Sequence, residues 1–498
     1  MTSIPPLVKS IGWTRGITDT RAQMLDLQRQ LGTGRIAETY GGLGSGRSLA
    51  LSMQGQLARI DNFQQTIDTL ALRLDMMSLS VDRFAELVDT TKSDARNGTF
   101  EFSSGDTTLS QDLVKGQFDE ALSLLNAEIA GRHLFSGRTV DQKPVEATQV
   151  ILHGDGVRAG LDTLIAERKL ADAGADGRGR LQLTNGGASL TIAEDGDHPF
   201  GFKLAGISSS IAAATLTQPG GVAPQSAGLA LAGQPVVGDT VQIALDLPDA
   251  SRVTITLTAS ADGSAENSFA IGADETATLA NIEAAIGTAL ETAAATDLSA
   301  SSSVVAARSF FAADIDNPPQ RIDGPPFESA TGLVAGTADN TVIWYRGEPG
   351  TGSARDSSLA RIDDNIVVGY GARANEEPFS WALAHMAAFA IEDFDESVAT
   401  DDDRFYALRQ KTVDGLSYGN GVRGIRAMQA EYVGLQSTYG AAQERHVATK
   451  QIAEDALAGV TQADDEEVAV KLLQLQTQLQ ISYQATAMIA QLNLAQYL

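Results

Sequence analysis

The chain has 498 residues, a formal net charge of −27 and no cysteine. A surface this acidic repels nucleic acid and anionic lipid, so the composition argues against both as partners. The absence of cysteine excludes disulfides, thiolate catalysis and cysteine-ligated zinc. The length suggests about three domains at roughly 150 residues each.

The beginning of the chain lacks the features of a secretory signal. Pro5 and Pro6 stand where a basic region is needed, and no sustained apolar stretch follows them. The most apolar segment, Trp381 to Ile391, is shorter than the roughly 18 residues that a membrane span needs. We therefore expect no membrane partner, and export would use a route without a cleaved signal peptide.

Two amphipathic stretches follow in the first hundred residues. The shorter stretch carries Ile17, Met24, Leu27 and Leu31 and stops at helix-terminating glycines. In the longer stretch, apolar residues recur mostly at spacings of three and four: Met53, Leu57, Ile60, Ile67, Leu70, Leu74, Met77, Val81, Phe84 and Val88. Sustained over about five heptads, this pattern predicts a helix of about 54 Å that packs along another helix.

The segments between the helical ends differ in character from them. A further helix is predicted from Leu109 to Ile129, and from about residue 146 to 360 the sequence changes to β-type runs separated by turn signals. Residues 180–192 predict one hairpin and residues 240–257 predict another. Residues 211–345 carry 15 Asp or Glu against 3 Lys or Arg, so this part of the middle is strongly acidic. One helix is expected within the middle, from Ala277 to Ala293.

The end of the chain mirrors its beginning, with no proline from Tyr406 onward. Helical spacing predicts one apolar stripe that then continues on a drifting face, formed by Ile452, Ala456, Val468, Leu472, Leu475, Leu479, Ile481, Ala485, Met488 and Leu492. The polar positions between them are mostly glutamine, and a neutral amide face tolerates close packing on several sides. The pattern suits a subunit that buries its ends in a polymer.

These elements predict an α+β fold in which both chain ends form an elongated helical rod or bundle with a β-rich central insertion at its tip. We expect a terminal helical assembly domain (residues 1–45 and 455–498), a helical rod domain (46–145 and 361–454) and a central insertion (146–360) of one or two subdomains. The residues expected at the assembly interface are Ile17, Met24, Leu27, Leu31, Val468, Leu472, Leu475, Leu479, Met488, Leu492 and Leu498.

Two short motifs match the spacing of functional patterns but lack their context. Gly41 to Ser48 has the spacing of a phosphate loop, with Arg47 in place of the required lysine and no buried strand before it. Gly415 to Gly419 matches a hydrolase nucleophile elbow, with Ser417 at its centre and His446 downstream, but polar residues replace the apolar strand that precedes such a serine. We interpret both motifs as connections between helices.

The sequence contains no recognisable set of metal ligands. Its five histidines are scattered, and the acidic clusters at 401–403 and 464–467 lack the spaced oxygens and central glycine of a calcium loop. The second cluster is interpreted as the start of a helix, where carboxylates favour the positive end of the dipole. We predict no catalytic residue, no metal site and no cofactor.

The terminal stretches resemble the flagellin family. Leu25 to Ile36 (LDLQRQLGTGRI), the glycine-rich loop and the long helix after it are similar to the beginning of flagellins. Val468 to Leu498 (VAVKLLQLQTQLQISYQATAMIAQLNLAQYL) resembles the C-terminal helix of hook–filament junction proteins, also called hook-associated protein 3. Gly131 to Gly137 (GRHLFSG) resembles the segment that closes their N-terminal helical part. The middle of the chain is similar to the larger insertion of alphaproteobacterial members.

The resemblance implies a structural adaptor that joins hook to filament in the extracellular bacterial flagellum, after export through the flagellar type III channel. The implied partners are the hook-side junction protein, flagellin, further copies of the chain in a ring, and a cytoplasmic export chaperone that holds the C-terminal helix. We also expect the end helices to be partly disordered in the monomer and to order on assembly.

Three other functions are weighed against the adaptor. A filament flagellin is the nearest alternative, and the pattern from Asn493 to Leu498 favours the adaptor over it. An enzyme or ligand-binding protein with its activity in the central acidic region is a distant alternative, because no constellation of acid, base and nucleophile supports it. A secreted adhesin that uses the central region stays open.

Overall fold

The computed structural model describes residues 6–105, 107–419 and 421–495. Helix accounts for 53% of the structure and strand for 17%, so the fold is of the α+β class. Among the described residues, none of the helices is both long and apolar enough to span a bilayer.

Helices occupy both ends of the described chain, and further helices lie between the strands of its middle. In chain order they are α1 (Pro6–Thr33), α2 (Arg47–Asn97), α3 (Leu109–Leu125), α4 (Thr148–His153), α5 (Leu161–Ala173), α6 (Glu275–Ala293), α7 (Ser299–Phe311), α8 (Glu377–Ile391), α9 (Asp401–Gly415), α10 (Ile425–Thr461) and α11 (Asp465–Ala495). A 3-10 helix, Tyr40–Gly46, connects α1 to α2, and a π-helical turn, Ala294–Leu298, joins α6 to α7.

The strands are concentrated between α5 and α6. In chain order they are β1 (Phe102–Ser104), β2 (Thr107–Thr108), β3 (Glu128–Ile129), β4 (Arg132–His133), β5 (Leu181–Asn185), β6 (Ser189–Glu194), β7 (Lys203–Ser209), β8 (Ala214–Thr217), β9 (Ser226–Leu231), β10 (Thr240–Asp246), β11 (Arg252–Ser260), β12 (Ser268–Ala270), β13 (Gln320–Ile322), β14 (Leu333–Ala335), β15 (Leu359–Asp363) and β16 (Ile366–Gly369). Two four-stranded sheets have the orders β5-β6-β9-β8 and β12-β11-β10-β7.

Contacts group the chain into two compact units. The terminal unit comprises residues 1–70, 361–367 and 437–498, and the central unit comprises residues 71–360 and 368–436. The helices near both chain ends thus belong to one unit, and the two four-stranded sheets belong to the other. The finer three-part division expected from the sequence stays a prediction.

The long helix predicted from Met53 to Val88 is confirmed as α2, which extends beyond both ends of the predicted segment. Its apolar positions at spacings of three and four form a buried stripe, which includes Ile67 in the terminal unit and Leu74 and Val81 in the central unit. The stripe stabilises the helix by packing, because burial of each such side chain contributes about 1.5–3 kcal/mol.

Both predicted hairpins are confirmed in the central unit. β5 and β6 pair antiparallel around Gly186 and Gly187, and β10 and β11 pair antiparallel from Asp246 opposite Arg252 to Thr240 opposite Thr258. Strand alternation sends one face of each sheet inward, where side chains of both sheets and of α6 share one hydrophobic core. The predicted helix from Ala277 to Ala293 is confirmed as the greater part of α6, whose N-cap Asp274 accepts a bond from the backbone N–H of Ala277.

The helices differ from the sequence-based expectation in three ways. The predicted helix from Leu109 to Ile129 is wrong at its end, because α3 stops at Leu125 and the residues after Ala127 form a short antiparallel pair with β4. The continuous stripe through residues 452–479 is interrupted between α10 and α11 by a non-helical segment at residues 462–464, which includes the β-bridge of Gln462. The expectation of a single helix within residues 146–360 is wrong, because α4, α5 and α7 also lie there. The serines of α7 are weak helix formers, so propensity did not indicate it.

Candidate assembly interface

The end helices α1 and α11 of the terminal unit lie side by side and run antiparallel. The segment that follows α1 pairs with the segment that precedes α11, where Arg35 and Gln462 form an antiparallel bridge. The N–H of Ile36 donates to the carbonyl of Thr461 at 3.0 Å, and the N–H of Ala463 donates to that of Gly34 at 3.0 Å. These bonds fix α11 beside α1 at the point where α1 ends.

The acidic cluster before α11 acts as a helix start, as predicted. One carboxylate oxygen of Asp464 accepts the backbone N–H groups of Glu466 and Glu467 at 3.0 and 3.1 Å. The Asp464 carbonyl accepts the N–H of Val468 at 2.8 Å. The side chain therefore satisfies two of the donors that a helix N-terminus leaves unpaired. The neighbouring carboxylates Asp465, Glu466 and Glu467 occupy the first turn, where the helix dipole favours them.

One face of α11 packs within the chain. Val468 and Leu479 are buried, and Leu472 and Leu475, which lie between them, are half-buried. On α1, the predicted interface residues Ile17, Met24 and Leu27 are likewise half-buried. Farther along α11, the guanidinium of Arg21 lies 5.5 Å from the centre of the Tyr483 ring. Most of the residues expected at the assembly interface therefore lie on faces that are covered, in part or fully, inside the monomer.

The opposite face of α11 carries a second apolar stripe that is exposed. Its members, which we call the outer stripe, are Val470, Leu473, Ile481 and Met488. With Thr477 and Gln484 between them, they recur at spacings of three and four, so they form one continuous line along the helix. Leu473 is 64% exposed, whereas Leu479 on the inner face is 6% exposed. The helix is thus apolar on two opposite sides and has one of them covered.

The remaining predicted interface residues divide between exposed and undescribed positions. Leu31 on α1 and Met488 on α11 are exposed. The side chain of Leu492 and the whole of Leu498 lie outside the described residues. Sequence reasoning missed exposed Leu25, Val470 and Leu473, which lie off the stripe chosen there. For Val470 and Leu473, apolar character at helical spacing opposite the first stripe was the signal that could have found them.

The surface of α11 around the outer stripe carries no formal charge over most of its length. Lys471 forms an ion pair with Glu467 at 2.6 Å in the first turns. From residue 472 to the end of α11, the sequence contains no Asp, Glu, Lys or Arg. Burial of this face from residue 472 onward against another protein surface therefore leaves no charge of α11 to desolvate, and desolvation of charge is the most costly step in burying a polar surface.

The glycine-rich segment that resembles a phosphate loop connects helices, as predicted. It forms the 3-10 helix Tyr40–Gly46 between α1 and α2. A Cβ atom at Gly46 would lie 2.4 Å from Cγ1 of Val460 on α10. The glycine therefore lets α10 approach the start of α2 closely, which is a packing role.

The serine and histidine of the elbow-like motif have local partners. Ser417 donates its hydroxyl hydrogen to the carbonyl of Val413 at 2.8 Å, one helical turn earlier. His446 is buried, stacks on Phe63 with ring centres 5.4 Å apart, and its Nε2–H donates to the carbonyl of Ile362 at 2.7 Å. Neither side chain has the geometry of an activated nucleophile or its base. Gly415 ends α9, so the motif lies between helices as predicted.

Other titratable groups in the central unit are held in structural contacts. His385 lies within α8, where burial lowers its pKa to about 4, and its Nδ1–H donates to the carbonyl of Trp381 at 2.8 Å. Asp172 is fully buried and accepts bonds from Arg168, Ser302 and the N–H of Gly201. No group of three or more His, Asp or Glu within the described residues is arranged to hold a metal ion.

The chain matches none of the protein-family models and none of the curated proteins with which it was compared. A function must therefore be inferred from two sources, the resemblance of its end segments and the chemistry of its surfaces. The outer stripe is an exposed apolar surface of the terminal unit, and it lies within the segment beginning at Val468 for which a resemblance to flagellin-family proteins is expected from the sequence.

Proposed function

We propose that the chain is a structural subunit of the bacterial flagellum, and specifically an adaptor that joins hook to filament. The observation that carries the proposal is the outer stripe, an exposed apolar line on a helix that carries no charged residue from residue 472 onward and whose other apolar face packs beside α1. A soluble monomer gains nothing from such a surface, whereas a subunit that packs against neighbours buries it.

The energy available from the outer stripe favours assembly with several neighbours over a simple pair. Each of its side chains is about two-thirds exposed, so its full burial contributes about 1–2 kcal/mol. With Leu25 and Leu31 added, six side chains give about 6–12 kcal/mol, which is similar to the roughly 4–15 kcal/mol that association of two proteins costs. In a ring or tube, each subunit contacts several others, so more contacts offset the free-energy cost of association of each subunit.

The proposal assigns different roles to the two ends and the middle of the chain. The terminal helices form the assembly part of a rod, and the β-rich middle forms an insertion at its tip. The partners are the hook-side junction protein, flagellin and further copies of the chain in a ring. An export chaperone holds α11 in the cytoplasm, and the adaptor acts outside the cell after export without a cleaved signal peptide. The protein has no catalytic role and no cofactor.

Placement of the protein on intact flagella tests the proposal. Immunogold electron microscopy uses an antibody raised against residues 180–330, with preimmune antibody and flagella from a deletion strain as controls. A discrete label where hook meets filament is the expected result. Label along the whole filament would favour the alternative, a filament flagellin. Absence of label from a flagellum of a strain that produces the protein would overturn both.

A further inference from the structure

A cleft of about 930 Å³ lies in the central unit between an edge of a β-sheet and a helix. The residues of β11 from Val253 to Leu257 form one wall, and one face of α6, which includes Ala284, Thr288 and Thr292, forms the other. The volume falls at the upper end of the roughly 300–1,000 Å³ that ligand clefts usually have. The small side chains of α6 leave the space between helix and strand open.

The strand wall of this cleft is an unpaired edge. β10 pairs with β11 along residues 252–258 on one side. On the other side, β12 pairs only with residues 258–260, so residues 252–257 have no strand partner there within the described part of the chain. An unpaired edge presents a row of backbone donors and acceptors that can accept another strand.

The direction of these backbone groups follows from the bonds of the neighbouring residues. The N–H of Thr258 donates to the carbonyl of Asn267 at 2.9 Å, on the β12 side. The N–H of Ala259 donates to the carbonyl of Asp239 at 2.7 Å, on the β10 side. Because the direction alternates along a strand, the N–H and C=O groups of Thr254 and Thr256 point toward the cleft. Both residues are exposed.

The charged residues that line the cleft are acidic. Among the described residues, its lining includes Asp262, Glu266, Asp297 and Asp403 and no lysine or arginine. Asp297 is half-buried, and burial raises the pKa of its carboxyl group. The nearby Lys411 bonds instead to Asp249 at 2.7 Å. A cationic side chain in the cleft would therefore meet four carboxylates, and the charge of Lys411, whose ammonium is bonded to Asp249, also acts on Asp297.

We propose that this cleft binds an extended peptide segment that carries lysine or arginine, which adds as a strand to the free edge of β11. Backbone bonds to Thr254 and Thr256 hold the peptide, and the carboxylates Asp297 and Asp403 select its basic side chains. This binding site is independent of the assembly proposal, since none of its residues belongs to the terminal unit.

The first test uses three fluorescein-labelled synthetic peptides and the full-length protein. An acetylated octapeptide of alternating lysine and valine is the probe, and its glutamate–valine counterpart tests charge. A version of the probe with N-methylated backbone at alternate residues tests strand pairing. We expect saturable binding of the probe in fluorescence polarisation, and binding at least about tenfold weaker for either control peptide. Equal binding of the N-methylated peptide, or no binding of the probe at millimolar protein, would overturn the proposal.

Variants locate the binding at the cleft. Thr256→Pro removes one N–H that points to the cleft, at an edge position where proline is tolerated. Thr288→Tyr blocks the cleft from an exposed position on α6, so it remains informative if the proline variant unfolds. The double variant Asp297→Asn/Asp403→Asn removes two charges, and Glu396→Gln is the matched control at an exposed acid outside the cleft.

We expect each cleft variant that keeps its circular dichroism and unfolding midpoint to weaken probe binding by about tenfold or more, and Glu396→Gln to leave it within about twofold. Unchanged binding in folded Thr256→Pro and Thr288→Tyr would contradict the proposed site. Concentration-dependent dimerisation that both variants abolish would also contradict it, because the occupant would then be a second copy of the chain.

Discussion

Val468 and Val470 lie two residues apart on α11 and face opposite sides of it: Val468 is 5% exposed and Val470 is 64% exposed. Two residues span about 200° around an α-helix, so a helix with apolar residues at both positions is apolar on opposite faces. The inner face is covered within the monomer. The proposed assembly contacts form on the outer face. A substitution on the inner face should therefore affect the monomer, and a similar substitution on the outer face should affect only assembly.

Leucine-to-alanine substitutions on the two faces should differ in the isolated monomer. Leu479→Ala removes a buried side chain from the inner face of α11, and we expect it to weaken the pairing of α11 with α1 by about 2–5 kcal/mol. Leu473→Ala on the outer stripe should change it by less than about 0.5 kcal/mol. Hydrogen exchange of the α1 amides measures the pairing. Equal acceleration of exchange by both variants would contradict the division of α11 into two faces.

Two glycine substitutions in the terminal unit should change the unfolding free energy in opposite directions. Gly46→Ala brings a Cβ against Val460, and we expect a loss of about 1–3 kcal/mol in unfolding free energy. Gly55→Ala, in the exposed interior of α2 with no atom within 4 Å of the new Cβ, should gain about 0.5–1 kcal/mol. Denaturant unfolding measures both, and the double variant Gly46→Ala/Val460→Ala should recover part of the loss. A stabilising Gly46→Ala would refute the close approach of α10.

Acid should destabilise the central unit through His385. Burial lowers the pKa of His385 to about 4 in the folded state, below the unfolded value near 6.5. The unfolded state therefore binds the additional proton, and the stability present above pH 6.5 is lost as the pH falls toward 4. Between pH 7 and pH 4.5 we expect a contribution of roughly 2–3 kcal/mol. In urea unfolding, His385→Gln should show a smaller pH dependence by this amount. An unchanged slope would contradict the assignment.

The end helices of the monomer should be the first parts that a protease cleaves. The α1 helix has no fully buried side chain among those described, and α11 has two. Such thin packing permits local opening well below the global unfolding free energy. We expect limited proteolysis to cut α1 and α11 at least about tenfold faster than the central unit. Complete protease resistance of both ends in the monomer would count against order gained on assembly.

Part of this fold could be predicted because local patterns and tertiary packing agree there. The heptad spacing of α2 coincides with its buried stripe, and Gly186 and Gly187 supply the turn of the β5–β6 hairpin. Helix α7 shows the opposite case. Its hydroxyls at Ser302 and Ser303 bond the carbonyls of Leu298 and Ser299 and also reach buried acids on α5 and after α8, which are partners that no local pattern reveals.

The sequence predicts that the candidate interface lies on a helix, but it does not predict which face of that helix is exposed. Apolar residues recur on both sides of α11, and only the position of α1 decides that Leu479 is covered and Leu473 exposed. The cleft beside β11 was not predictable at all. The sequence of β11 has the same alternating pattern as other strands. Its free edge exists because β12 is short and pairs with only the last residues of β11.

A cysteine placed on the outer stripe tests the proposed assembly most directly, since the chain has no other cysteine. Leu473→Cys should react with a maleimide dye in the purified monomer and be protected in isolated hook–filament structures, because neighbouring subunits cover it there. Val222→Cys, at an 88% exposed position of the central unit, should react in both states. Full labelling of Leu473→Cys in assembled flagella that contain the protein would contradict an assembly role for the outer stripe.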